Sequence, residues 1–321
     1  MTMNTNALQT NFDNSENEWA VILAGGDGVR LRSLTRKIAG DERPKQFCSV
    51  LGKRTLLEET QRRAALELPP GRTLYVVNRM HEPYYAPILS DQPPANLVIQ
   101  PRNRGTAPAI LYSLLRIAAV NPEALVAFFP SDHYISNNER FMSHIRVALD
   151  ATRRRPDLII LLGLDPESPE VEYGWIEPAE VIPGHARVRR VRRFWEKPDR
   201  RLAQVLQLRG CLWNSFVMVA SARALLEIIE SAIPELYRSL ARVTPHLGTG
   251  GESKEINRIY APMEETNFSH QVLALRPERL AVVKVTGVRW NDLGEPKRVM
   301  ASLNMAGVRP RWAETGVPRL A

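Results

Sequence analysis

Three glycines within four positions, Gly25, Gly26 and Gly28, follow the apolar run Ala20–Ala24 and lead to Arg30 and then to Arg43-Pro44-Lys45-Gln46-Phe47. Backbone without Cβ atoms can approach a ligand closely, and its N–H groups can point at phosphate oxygens. Arg30 and Lys45 would add the positive charge that a triphosphate needs. The loop is not a P-loop, since no Lys-Ser or Lys-Thr follows. It is not a complete dinucleotide fingerprint either, because Leu31 stands where the third glycine belongs. Taken alone, the glycines also fit a tight turn. Two carboxylates form a second set: Asp132, in Phe128-Phe129-Pro130-Ser131-Asp132-His133, and Asp292, in Arg289-Trp290-Asn291-Asp292-Leu293-Gly294. They suit Mg²⁺, which takes hard oxygens and keeps water and phosphate in its shell. Asp132 equally fits a turn, and the pair gains meaning only if the fold brings it together. His133 reads as a hydrogen-bonded structural histidine, with no catalytic role. Lys197 can meet a phosphate, Glu196 can accept from sugar hydroxyls, and Asn214 and Ser215 offer an amide and a hydroxyl. Each of these also fits a surface turn.

The elements that must position these residues alternate. Thr55–Leu66 reads as a helix, with Thr55 and Glu58 spaced as a capping box. Thr73–Val77 and Leu97–Ile99 read as strands, Thr106–Val120 as a helix, Ala124–Phe129 as a strand covered on both faces, Arg140–Arg153 as a helix and Leu158–Leu162 as a strand. This alternation over the first ~165 residues predicts a doubly wound α/β sheet, with ligands at the carboxyl ends of its strands. There lie Gly25–Arg30 and Pro130–His133. The second half is less regular. Strands are expected at 172–177, 188–195, 213–219 and 280–285, helices at 202–208, 223–231, 234–243, 252–260 and 294–304, and a mobile glycine-rich loop at His246–Gly251.

The bulk properties narrow the class. With 321 residues and a hydrophobic fraction of 44%, the chain can bury a sizeable core. No apolar stretch approaches the ~20 residues of a membrane span. Residues 1–18 are polar and lack the apolar core of a signal peptide, so a loose tail and a cytoplasmic protein are expected. Cys48 and Cys211 give neither a disulfide framework nor a zinc pattern. The excess of 43 Lys+Arg over 35 Asp+Glu, a net +8, suits an anionic substrate and also nucleic acid. The basic runs at 153–155 and 187–193 lack the interleaved aromatics of single-strand binding surfaces, so nucleic acid is the weaker reading.

Taken together the motifs resemble the sugar-1-phosphate nucleotidyltransferases, and most closely the mannose-1-phosphate guanylyltransferases. The resemblance is carried in family order by Leu23–Leu31, Arg43–Phe47, Asn103–Ile110, Phe129–His133, Tyr173–Ile176, Glu196–Asp199, Trp213–Ser215 and Trp290–Gly294. It implies a GT-A-like (Rossmann-like) α/β fold: a mixed, mostly parallel central sheet with helices on both faces. One domain is expected at 19–305, with a nucleotide half at 19–165, a sugar-phosphate half at 166–305 and a C-terminal tail at 306–321. The resemblance implies GTP and a sugar 1-phosphate as substrates and Mg²⁺ as cofactor, and it leaves a homodimer open. It places Leu23, Gly25, Gly26, Gly28 and Arg30 around the triphosphate, with Lys45 neutralising it, and Gly105 and Thr106 near guanine. Asp132 and Asp292 would hold the metal, Lys197 would meet the sugar phosphate, and Gly174, Glu196 and Asn214 would face the sugar.

Three departures stand out. Arg32-Ser33-Leu34-Thr35 replaces the family's Trp-Pro-Leu-Ser, and Phe216 replaces the glycine of Trp-Asn-Ser-Gly. Thr266–His270 stands where a Ser-Ile-Asp segment is usual. These changes bear on the sugar more than on the reaction. Mannose 1-phosphate is the first expectation, and a heptose 1-phosphate or another manno-configured sugar is the alternative. A regulatory paralogue that binds GDP-sugar without turnover is the rival of another class, against which the full set of phosphate and metal residues argues.

Overall fold

Alternate residues of a strand face opposite sides of its sheet, so a strand apolar at every position needs a core on each side. The computed structural model, which describes residues 17–314, has this architecture. In β4 (Leu125–Pro130), Ala127 and Phe129 enter one core, and Val126 and Phe128 enter another. In β6 (Ile159–Leu164), Ile160 and Leu162 separate from Ile159 and Leu161 in the same way. Helices Leu56–Ala64, Asn138–Arg154 and Arg200–Leu208 cover the first face. Helices Thr106–Val120, Ala222–Ala232, Pro234–Ala241 and Glu252–Tyr260 cover the second.

The remaining strands are β1 (Glu18–Leu23), β2 (Thr73–Asn78), β3 (Leu97–Gln100), β5 (Tyr134–Ile135), β7 (Gly174–Ile182), β8 (His185–Glu196), β9 (Leu212–Ser221), β10 (Leu280–Val285) and β11 (Trp290–Asn291). Nine of the described strands form one sheet in the order β3-β2-β1-β4-β9-β6-β10-β8-β7, and β7 also pairs with β9. Within it, β8 and β9 run against the other strands. The mixed, mostly parallel sheet with helices on both faces is therefore present. The two expected halves are not two sheets, however: β9, from the second half, lies between β4 and β6 of the first. A separate ribbon pairs β5 with β11, Trp290 opposite Ile135 and Asn291 opposite Tyr134.

Boundaries differ from expectation where tertiary partners intervene. Glu18, counted above with the tail, opens β1 and is fully buried. Its carboxylate accepts from Arg146 at 2.9 Å and from Arg153, which supplies the pairing that a buried charge requires. The other tail residues, 1–16, lie outside the described residues, as do 315–321. Within the expected C-terminal tail, Ala306 still ends the helix Pro296–Ala306, and Arg311–Glu314 is helical. The His246–Gly251 loop, expected to be mobile, is pinned: the buried Glu252 accepts from Gly248 N–H at 2.8 Å, and the Thr249 hydroxyl donates to the His246 carbonyl at 2.8 Å.

The predicted capping box is formed: Thr55 Oγ1 accepts from Glu58 N–H at 3.2 Å, while the Glu58 carboxylate accepts from Thr55 N–H at 2.6 Å. Thr55→Ala is expected to destabilise the protein by about 1 kcal/mol. Equilibrium urea unfolding checks it, with a lowered midpoint and an unchanged slope.

Candidate active site

The glycine loop leaves β1 where the backbone is tightly held. Ala24 N–H donates to the Val76 carbonyl at 2.8 Å, and the Gln46 amide donates to the carbonyls of Ala24 and Gly26 at 3.1 and 2.7 Å. A Cβ on Gly25 would stand 2.7 Å from the Gln100 amide nitrogen, whereas one on Gly26 would meet nothing. Leu23, Gly25 and Gly26 line a cavity together with Gln100, Gly105, Thr106, Ser131 and Asp132. Gly28 lies outside it: with φ of 60° it packs against Pro44 and Lys45 and serves the turn. Gly105, φ 83°, sits under a strap formed by Glu265–Phe268, and a Cβ there would overlap the Thr266 carbonyl. Ala107 N–H donates to that carbonyl at 3.1 Å, and Phe268 N–H donates to Thr106 Oγ1 at 2.9 Å. The segment around Thr266 and Asn267 thus closes one side of this cavity.

A second cavity adjoins the first. Arg30, Glu172, Gly174, Glu196, Lys197, Asn214 and Asp292 line it, and Thr106, Phe216 and Asn267 border both. Gly174 stands opposite Glu196 in the β7–β8 register, and a Cβ on it would come within 3.0 Å of the Glu196 carboxylate. Burial raises the Glu196 carboxyl above its ordinary range despite Lys197 beside it. Arg30, expected at the triphosphate, reaches this second cavity. Its guanidinium meets Glu172 Oε2 at 3.3 Å, and Lys197 Nζ lies 3.7 Å from the same oxygen.

The β5–β11 pairing lays the segment that follows Asp132 beside the segment that precedes Asp292. Lys45 reaches both segments. It is only 8% exposed, and its ammonium lies 3.3 Å from Asp132 Oδ2 and donates to the carbonyls of Asp292 and of Leu293, the latter at 3.1 Å. Asp292 Oδ1 accepts from Tyr173 Oη at 2.9 Å, Arg298 at 3.0 Å and Gly294 N–H at 2.9 Å. Oδ2 is left as the oxygen these donors do not take. Burial alone would raise the Asp292 carboxyl, but Lys45, His133, Arg298 and the Gly294 N–H hold it below the ordinary range. His133 is structural, as expected. Its Nδ1 accepts from Trp290 Nε1 at 3.2 Å, so its proton sits on Nε2, 3.5 Å from Asp132 Oδ1. Burial pushes its pKa down to about 4.

Among the described residues, no group of three or more His, Cys, Asp or Glu side chains is arranged to hold a metal. A cation here would rely on Asp132, Asp292, water and substrate oxygens. Those donors fit a hard divalent ion that retains water and phosphate.

A model described as nucleotidyl transferase matches residues 19–305. The chain belongs to that family. The family acts on a nucleoside triphosphate and a sugar 1-phosphate and generally uses a divalent metal. Alginate biosynthesis protein AlgA of Pseudomonas aeruginosa is 28% identical over 277 residues, covering 85% of this chain and 56% of that protein. Mannose-1-phosphate guanylyltransferase 2 of Escherichia coli O157:H7 is 31% identical over 288 residues, covering 86% and 58%. The chain thus spans a little over half the length of these relatives. Among solved structures, mannose-1-phosphate geranyltransferase from Thermus thermophilus superposes with a TM-score of 0.73 at 30% identity, covering 87% of this chain and 76% of that one.

Several site residues were not singled out from sequence. Glu172 and Arg298 lie outside the motifs, and Gln46 and Tyr173 entered only as members of them, since each acts through a partner distant in the chain. One signal was available. Trp213-Asn214-Ser215-Phe216 and Trp290-Asn291-Asp292-Leu293 fold alike: each Asn Oδ1 accepts from the N–H two residues on, at 3.1 and 2.8 Å, and Phe216 and Leu293 both have positive φ. Both indoles meet the Tyr173 ring edge-on at 5.1 Å.

Glu172 sets its own negative charge between two cations, Arg30 and Lys197, that an anion would otherwise find unopposed. Exposed pairs of this kind contribute about 0.2–1 kcal/mol each. Glu172→Gln is therefore expected to tighten pyrophosphate binding by roughly 2- to 10-fold. Calorimetric titration checks it, and weaker binding would show that Glu172 assists the anion.

Proposed function

We propose that the chain transfers GMP from GTP to a sugar 1-phosphate, mannose 1-phosphate in the first place, giving GDP-mannose and pyrophosphate. The observation that carries this reading is that Arg30, Lys197 and Asp292 line one cavity while Asp132, which Lys45 meets, lines the adjoining one with the glycine loop. Asp132 and Asp292 would hold Mg²⁺, which when bound neutralises charge on the triphosphate. A sugar-phosphate oxygen forms the new bond to the α-phosphorus, and the bond to the bridging oxygen breaks as pyrophosphate leaves. The sugar phosphate is already ionised at neutral pH, so no general base is needed. The neutral His133 is consistent with that. The chain's work is positioning and charge compensation: Lys197 and Arg30 orient the phosphates, and Glu196 and Asn214 face the sugar.

The nucleotide side supports guanine. Gln100 Oε1 accepts from Tyr260 Oη at 3.1 Å, which leaves the amide N–H₂ as its free group, and Glu265 lines the same cavity. A donor and an acceptor carboxylate match the O6 acceptor and the N1–H and N2–H₂ donors of guanine. Glu265→Gln is expected to lower the preference for GTP over UTP by about 10-fold, the worth of one hydrogen bond to a charged group.

Pyrophosphate release with Mg²⁺ tests the whole reading. GTP, UTP, dTTP, CTP and ATP are each paired with mannose, glucose and heptose 1-phosphates. Release requiring GTP and mannose 1-phosphate is expected. Release with GTP and only another sugar keeps the mechanism and changes the acceptor. No release from protein that binds GDP-mannose turns the reading to a sensor. Asp132→Asn is expected to cut turnover at least about 100-fold, by removing several kcal/mol of metal-borne charge stabilisation, with unchanged circular dichroism.

A further inference from the structure

Among the described residues, left-handed backbone outside glycine occurs at Lys197, Phe216 and Leu293, and all three border the site. Such a residue is strained, and strain of this kind persists where the surroundings over-determine it. Two of the three serve a visible contact: Leu293 gives its carbonyl to Lys45, and Lys197 points its ammonium at Glu172. At Phe216 the backbone does only what a glycine would do without strain, donating its N–H to Asn214 Oδ1. What a glycine could not supply is the ring.

The ring is aimed by the strand. Along the β6–β9 ladder Leu161 pairs with Met218 and Gly163 with Asn214, so Ser215, Phe216 and Val217 together face the single residue Leu162. The Ser215 hydroxyl fills the gap, donating to the Leu162 carbonyl at 2.6 Å. A bulge bends its strand and re-aims a side chain. Here it sets Phe216 half-buried at the edge of the second core, lining both the nucleotide cavity and the cavity of Gly174, Glu196 and Lys197.

We propose that Phe216 is a specificity-determining residue, a shared apolar wall that limits the size of the sugar 1-phosphate seated beside the nucleotide to a hexose. The inference rests on the guanylyltransferase reading above. An apolar wall discriminates against one extra carbon by roughly 10- to 200-fold.

Two variants separate the ring from the strain: Phe216→Gly removes both, and Phe216→Ala removes the ring alone. With GTP and Mg²⁺, the wild type should favour mannose 1-phosphate over a heptose 1-phosphate by about 10-fold or more in kcat/KM, and both variants should bring that ratio within about threefold. Phe216→Gly should also melt about 2 °C or more above Phe216→Ala, since only alanine keeps the left-handed strain. Unchanged selectivity in both variants, or a wild type that prefers the heptose, overturns the inference and leaves guanylyl transfer standing. A wild type that turns over no pair overturns the guanylyltransferase reading and this inference with it.

Discussion

The loop after β4 and the turn after β11 each carry a partly buried carboxylate, and a positive charge that reaches both segments offsets the cost of that burial. Lys45 supplies it. Its ammonium touches Asp132 and the carbonyls of Asp292 and Leu293, so one side chain ties the loop after β4 to the turn after β11. The two-residue ribbon β5–β11 sets the two segments side by side, and Lys45 ties them. Trp290 then donates to His133, which turns its own N–H toward Asp132, so a residue of the Asp292 segment helps to orient the Asp132 carboxylate. The small cluster of Leu31, Leu34, Tyr134, Leu293, Val299 and Leu303 seals the back of this junction and joins the glycine-loop segment to the helix Pro296–Ala306. Arg298 of that helix stacks over Tyr173 at 4.8 Å while bonding Asp292, so the helix reaches the site directly.

Tyr173 organises the second cavity in the same manner. Its ring separates two indoles, its hydroxyl fixes Asp292, and its carbonyl accepts from Lys197 N–H at 3.2 Å. Three left-handed residues flank it, each at a cost of about 1–2 kcal/mol. A packed aromatic cluster running from His133 through Trp290, Tyr173 and Trp213 to Trp175 holds those turns closed. Strain at the surface of the site is thus set against packing directly beneath it.

What could be read from sequence follows from the range of the forces involved. Thr55 and Glu58 form their capping box within four residues, and Thr106–Val120 carries its own helical period, so both were legible. The buried strands announced themselves as apolar runs. The insertion of β9 between β4 and β6 was not legible, because strand neighbours are chosen by the whole sheet. Glu18 read as part of a polar tail because Arg146 and Arg153, which make its burial possible, lie far along the chain. The glycine loop, Asp132, Asp292 and Lys197 were recognisable as motifs, yet the structure corrects their detail. Gly28 shapes the turn and does not line the first cavity, and Arg30 lines the second.

The net charge of +8 takes on meaning at this site. A pocket built to receive two polyanions would carry unopposed positive charge when empty, and like charges within a few ångströms destabilise a fold. Here each cation has an internal counterion: Lys45 has Asp132, and Arg30 and Lys197 share Glu172. An anion entering here would take cations from carboxylates that already hold them, and its binding would gain only the difference between the two partners. Because one Glu172 oxygen serves both Arg30 and Lys197, withdrawing one cation changes the field at the other. Arg30 of the glycine loop and Lys197 after β8 are in this way electrostatically linked.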